Sequence, residues 1–360
     1  MVNPASLRPV GTGFTGLTAT HIINAKHVFH AGFGARVPYE GSWYKKEEER
    51  PTLRQTWYNG DSQFKRTTEE RWARPRMNFE DIRRLTITAL FSDDFLFEQI
   101  VLKGGNAMSL VHGISSRASL DLDFSLARDF ADLQDIQARM ERALANRFAS
   151  VRLVPFDVKL LPKPSISGES PFPWWGGYRF EFKLVDEERL QRLRSNVEQL
   201  RREATVIGPN QLKVFSIDLS KWEYTEGKTR TDLDSYTIYV YTPAMIALEK
   251  MRAICQQIED YAPTGRTKHP RARDFYDIHS VVTKTDFRFD SPETAELVRE
   301  IFAAKKVPLS LLGKITDQRE FHRTDWPSVV TTTSGKLEGF DYYFDFVLRG
   351  IEPLHALWMK

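Results

Sequence analysis

Apolar positions first settle into a sustained period at Asn78: Ile82, Leu85, Ala89 and Phe91 recur at roughly helical spacing, and Asn78 is placed to cap the helix. The run QIVLKGGNAMSLVHG then predicts a short buried strand over Ile100 to Leu102, a Gly-Gly turn, and a helix through Ala107, Leu110 and Val111. In RASLDLDFSL the period switches to two. Leu120, Leu122, Phe124 and Leu126 alternate with Asp121, Asp123 and Ser125, which predicts a strand with one wet face. An amphipathic helix follows from about 130 to 148, then strand-like segments at about 150–160 and 177–185.

Further on, Leu190, Leu193, Val197 and Leu200 fall on one helical stripe with arginines opposite, and KVFSIDLSKW and SYTIYVY return to strands. Thr242 as N-cap and Pro243 at the first helical position open a helix through TPAMIALEKMRAICQQI. RARDFYDIHSVV predicts a second helix beyond a polar, basic loop. Residues 1–76 hold no sustained period of either kind and read as an N-terminal arm. The expected organisation is an arm at 1–76, an α/β core with a small mixed sheet at 77–241, and a mostly helical region at 242–360 that helps form a cleft.

Composition adds little to this outline but removes several classes. At 360 residues, 41% hydrophobic and 28% charged, the chain has ordinary globular usage and enough length for a core without staples. The one cysteine, Cys255, excludes an internal disulfide and sits in an apolar helical pattern, where a buried, inert thiol is expected; a reducing cytoplasm fits. The opening MVNPASLRPVGTGFTG lacks the regions of a secretory signal, and nowhere do about 18 apolar residues run together, so neither export nor a membrane span is expected. With 51 Lys and Arg against 48 Asp and Glu, the net charge of +3 gives no global pull on polyanions, and any such site must be local.

The candidate chemistry centres on the alternating strand. Asp121 and Asp123 project from one face, roughly 6–7 Å apart for a strand rising about 3.3 Å per residue. Hard divalent cations take such carboxylates together with substrate phosphates, although alternating acids also occur on ordinary exposed strands. Gly104 and Gly105, between strand and helix, allow backbone N–H groups to approach a phosphate; a tight connection would use the same residues. Asp218 lies in another alternating strand and offers either a third carboxylate or a solvated edge residue. Lys250 suits a triphosphate as a point charge, with Asp274 to orient it, while a solvated helix face is the plainer alternative. Arg266, Lys268, His269, Arg271 and Arg273, followed by Phe275 and Tyr276, form a basic stretch able to grip a nucleic-acid backbone or simply to face solvent. His112, His269 and His279 show no zinc spacing, and no GxSxG or P-loop occurs.

LKGGNAMSLVHGISSRASLDLDF, with ALEKMRAI and RARDFYDIHSV downstream, resembles the AbiEii/AbiGii toxin family of nucleotidyltransferases, a polymerase β-like group that includes the MenT toxins. In that family a GG or GS turn precedes a DxD strand, and a lysine of an EK pair and an aspartate of an RDxxD pair follow. Here those pieces are Gly104-Gly105, Asp121 with Asp123, Glu249-Lys250, and Arg273-Asp274 with Asp277; Asn106 stands where Ser or Thr is frequent. The resemblance covers roughly residues 80–285. It implies metal binding by Asp121, Asp123 and Asp218, with Mg²⁺ as cofactor and Mn²⁺ as a substitute. It also implies nucleotide binding by Lys103, Gly104, Gly105, Asn106, Lys250 and Arg273, and a catalytic part for Asp274. The implied activity is transfer of a nucleoside monophosphate from NTP to a tRNA 3′ end, by the toxin of a toxin–antitoxin or phage-defence pair with a cognate antitoxin. A protein hydroxyl as acceptor, or a non-catalytic RNA- or partner-binding role on the same fold, are the alternatives.

Overall fold

The structure, a computed structural model, describes residues 77–115, 119, 121–165, 172–208, 210–261 and 267–359; the expected arm at 1–76, Leu120 and Arg266 lie outside them. Arg74–Lys360 is one compact unit. Asn78 caps α1 (Phe79–Leu90) reciprocally: its Oδ1 accepts from Asp81 N at 2.9 Å and Asp81 Oδ2 accepts from Asn78 N at 3.0 Å. A short α2 (Asp94–Gln99) leads into β1 (Ile100–Lys103). One helical turn, Gly104–Asn106, then widens into a π-helix, Ala107–Val111. There follow β2 (Leu122–Leu126), α3 (Leu133–Ala149) and the antiparallel pair β3 (Leu153–Lys163) and β4 (Gly177–Asp186).

The single stripe expected over Leu190 to Leu200 is instead two short helices, α4 (Glu187–Leu193) and α5 (Val197–Arg202). Asn196 interrupts it: its side chain accepts from Gln199 N at 3.0 Å and starts a new helix, which leaves Val197 52% exposed. After β5 (Phe215–Ser220) comes a hairpin of β6 (Thr229–Leu233) and β7 (Tyr236–Val240), joined through Asp234 and Ser235, both at positive φ. Thr242 Oγ1 accepts from Met245 N and caps α6 (Pro243–Cys255). The remainder is helical: α7 (Ala272–Lys284), α8 (Pro292–Ala304), a 3₁₀ stretch at Leu309–Gln318, α9 (Arg319–Arg323), α10 (Trp326–Thr332) and α11 (Phe340–Ile351). Among the described residues, no helix is long and apolar enough to cross a membrane.

The strands form one mixed sheet in the order β3-β4-β5-β2-β1-β7-β6, with β2 parallel to β5 and β1 parallel to β7. Side chains alternate across a strand, so the register decides which residues share a face. Leu102 pairs with Phe124, Leu122 with Ile217, and Ile217 with Phe180, giving an apolar face that α1 and α3 cover. Ring pairs mark the seam: Phe79 with Phe215 at 5.7 Å, Phe91 with Phe124 at 6.1 Å and Phe148 with Phe182 at 6.0 Å. The other face carries the charged residues. It is not the wet face expected of β2, because Ser125 is fully buried and donates to Tyr241 Oη at 2.7 Å. Only Asp121, which precedes the strand, is exposed, and Asp123 is half-buried.

Candidate active site

Four charged side chains cross the polar face as a row, one from each of four neighbouring strands. Lys103 on β1 pairs with Asp123 on β2, Asp123 with Asp218 on β5, and Asp218 with Arg179 on β4. The two carboxylates are thus cross-strand neighbours flanked by a cation on either side. Asp218 is bound directly, by Arg179 Nε at 3.1 Å and Lys163 Nζ at 2.5 Å. Burial pushes the Asp218 carboxyl up, but these two cations outweigh it and hold it below the usual range. Asp123 goes the other way. Burial, with the nearby carboxylates of Asp218, Glu249 and Asp121, raises it to about 6 against the pull of Lys103. Asp121, raised by burial and by Asp218, belongs to the same electrostatic group although it sits on the bend before β2.

The glycine turn abuts this row. Gly104 has φ +69°, and a Cβ there would lie 2.6 Å from Asp123 Oδ2, so both backbone and space require glycine. Asn106 lies behind the turn, fully buried. Its Oδ1 accepts from Arg83 at 2.8 Å and its Nδ2 donates to Asp121 O at 2.6 Å, fixing the backbone of the first aspartate. Lys103 is equally committed, with Nζ 2.9 Å from Glu249 Oε1 and 3.5 Å from Glu223 Oε1.

The structure brings Lys250 and Asp274 together, as the resemblance implied. Lys250 Nζ lies 3.0 Å from Asp274 Oδ1 and 2.7 Å from Asp277 Oδ2, all three buried. Burial opposes the charges of Lys250 and Asp274, yet the pairing wins, raising the lysine and, with Arg271, holding Asp274 well below the carboxylate range. Arg271 also anchors the start of α7: its backbone N donates to Nδ1 of the buried His322 at 3.0 Å.

Sequence reasoning missed a second buried network. Glu223, just beyond β5, takes Arg252 Nη1 at 2.6 Å and Lys305 Nζ at 3.4 Å, and Arg252 also reaches Glu249 at 3.2 Å. The EK pair gave a hint, since Glu249 and Arg252 share one face of α6 at i,i+3. Nothing local marked Glu223 or Lys305.

A cleft of about 450 Å³ joins these parts. Of the expected residues, Lys103, Gly104, Gly105, Asp123, Asp218, Lys250, Arg273 and Asp274 line it; Asn106 and Asp121 do not. Lys268, His269 and Arg271 of the basic stretch also line it, while Phe275 is buried against Phe344 at 4.9 Å. On the far side the wall is Lys163, Trp175 and the Gly176-Gly177 pair.

The family model for the nucleotidyl transferase AbiEii toxin of Type IV toxin–antitoxin systems matches residues 87–346, well over half the chain. The chain belongs to the AbiEii nucleotidyltransferase toxin family. No curated protein matches it. Among solved structures it is similar to a candidate nucleotidyltransferase from H. pylori (15% identity, 78% of this chain and 94% of that one, TM-score 0.41). It is also similar to JHP933 from Helicobacter pylori (14%, 78% and 91%, TM-score 0.40). A third likeness is to an antigenic nucleotidyltransferase-like protein from Paracoccidioides brasiliensis (15%, 64% and 93%, TM-score 0.31). The seven-stranded mixed sheet with its many helices is an α/β fold, as expected of a nucleotidyltransferase.

The AbiEii site fits a magnesium ion by the chemistry of its donors. All are carboxylate oxygens, and Asp123, half-buried beside like charges, would gain countercharge from a divalent cation. Among the described residues no three acids or histidines close into a preformed cage. Mg²⁺ does not require one, because it draws its remaining oxygens from water and substrate phosphates.

Proposed function

We propose that this AbiEii protein transfers a nucleoside monophosphate from NTP to the 3′ hydroxyl of tRNA. The observation that carries the reading is the adjacent pair Asp123 and Asp218, set in one cleft with the Gly104-Gly105 turn and Lys250. Magnesium bound at Asp121, Asp123 and Asp218, or Mn²⁺ in its place, would supply charge stabilisation at the attacking and leaving oxygens. The triphosphate lies against the glycine turn, which lines the cleft and whose backbone at Gly104 comes close to the Asp123 carboxylate. Lys250 has three N–H donors, two of them held by Asp274 and Asp277, so the third is aimed by that pair at a phosphate oxygen. Arg273 adds a cation on the same wall.

The acceptor oxygen attacks the α-phosphorus as the bond to the β-phosphate bridging oxygen breaks, and pyrophosphate leaves with that electron pair. Asp218 takes the hydroxyl proton and returns it to solvent. Membership of a Type IV toxin family supports an antitoxin as partner. The test is purified protein with Mg²⁺, bulk bacterial tRNA and each α-labelled NTP in turn, beside an Asp121→Ala, Asp123→Ala control. Label on RNA with wild type alone supports the reaction; label on a polypeptide identifies a protein hydroxyl as acceptor, and no label with calorimetric silence toward Mg²⁺–NTP overturns catalysis.

A further inference from the structure

We infer that the wall made by Lys163 and Trp175, with Arg179 bonded to Asp218 beside it, is the acceptor subsite, where a single-stranded RNA end lays one base on the Trp175 indole and one phosphodiester against the exposed cations. This rests on the RNA-acceptor reading above and adds to it which wall holds the acceptor. The two sides of the cleft are built differently. On the α6–α7 side, Lys250, Arg252, Lys103 and Arg271 are each tied to buried carboxylates. On the hairpin side, Lys163 and Arg179 both bond the Asp218 carboxylate, and their side chains are 42% and 39% exposed. Each has N–H donors beyond those given to Asp218, which a phosphodiester oxygen can accept from.

Trp175 stands beside them on a fixed support. Gly176 has φ +111°, and a Cβ on Gly177 would lie 1.8 Å from Leu219 O, so the chain runs flush against β5 next to Asp218. Trp175 N donates to Phe172 O at 2.9 Å, and Lys221 N to Gly176 O at 3.1 Å, pinning the loop at both ends. The half-buried indole lines the cleft, and in the preceding residue Lys306 Nζ sits 3.7 Å over the Trp174 ring. An indole beside paired cations suits an unstacked base followed by a phosphate better than a peptide segment. The subsite lies on the Asp218 side, so a strand held there presents its terminal hydroxyl to the carboxylate that accepts its proton.

The experiment titrates full-length protein with a 5′-fluorescein-labelled eight-nucleotide RNA ending in CCA, without NTP, at several salt concentrations. Trp175→Ala should weaken binding about 5- to 150-fold with an unchanged salt slope, as loss of one stacked base does, and Trp175→Phe should recover most of it. Lys163→Gln should flatten the plot of log Kd against log salt by about 0.7, and Lys163→Arg should restore it. Trp175→Ala should leave the KM for NTP unchanged. Wild type that labels and binds RNA while Trp175→Ala and Lys163→Gln bind it unchanged overturns the subsite and leaves the reaction standing. Label passing to a polypeptide instead of RNA overturns both.

Discussion

Asp123 and Asp218 come from strands 95 positions apart in sequence, yet lie directly side by side on parallel neighbours. Their roles differ because their surroundings do: Asp218 is neutralised by Lys163 and Arg179, while Asp123 stays short of positive charge. Asp218→Asn should lower kcat by about 10²- to 10⁴-fold, the usual share of a proton acceptor. Asp123→Asn should bring NTP incorporation to background, with an unchanged circular dichroism spectrum in both variants. Full activity in Asp123→Asn would sink the assignment.

Two glycines separate backbone strain from crowding at the site. Gly104 and Gly113 have φ of +69° and +62°, but a Cβ on Gly113 meets open space while one on Gly104 meets the Asp123 carboxylate. Each alanine variant should lose about 1–3 kcal/mol of stability from the backbone alone. Gly104→Ala should in addition lose activity on the order of 10²-fold through displacement of Asp123. Equal activities for the two variants at equal folded fractions would show that the turn does not position the carboxylate.

How far the site could be read ahead of the fold follows from the range of each interaction. The glycine turn, the DxD and the capped starts of α1 and α6 are written within a few residues, where spacing is a sufficient guide. The acids were placed on one strand, but β2 begins only at Leu122, and its second face is closed by Tyr241, 116 residues beyond Ser125. Glu223 and Lys305 could not be anticipated at all, because Glu223 meets Lys103 across 120 positions. β6 escaped for a different reason: TRTDL holds one apolar residue, and the strand exists because β7 supplies its partner.

Lys250 is structural as well as chemical. Lys250→Met would remove the cation that Asp274 and Asp277 share, leaving Asp274 with Arg271, and should destabilise the protein by about 3 kcal/mol in urea unfolding. Adding Asp277→Asn should restore part of that loss. Activity of Lys250 variants is therefore interpretable only beside their unfolding curves.

Acid sensitivity should report on His322. The ring is fully buried, accepts from Arg271 N through Nδ1, and burial lowers it to about 4, with Arg271 adding to the shift and Asp274 opposing it. The unfolded chain therefore takes a proton near the ordinary 6.5 that the folded chain refuses. Stability from this residue is complete above that pH and drains away as pH falls to about 4, by about 3 kcal/mol. His322→Asn keeps an acceptor but cannot titrate, so its unfolding free energy should show a correspondingly shallower fall between pH 6.5 and 4.

The row Lys103, Asp123, Asp218, Arg179 exists only once four strands have paired in register. The four residues are spread over positions 103 to 218 on four strands, and a slip of one residue in any of three strand pairings would send a member to the apolar face. A nascent or misregistered chain thus carries every motif without the assembled row, so the sheet itself decides when the candidate site comes into being.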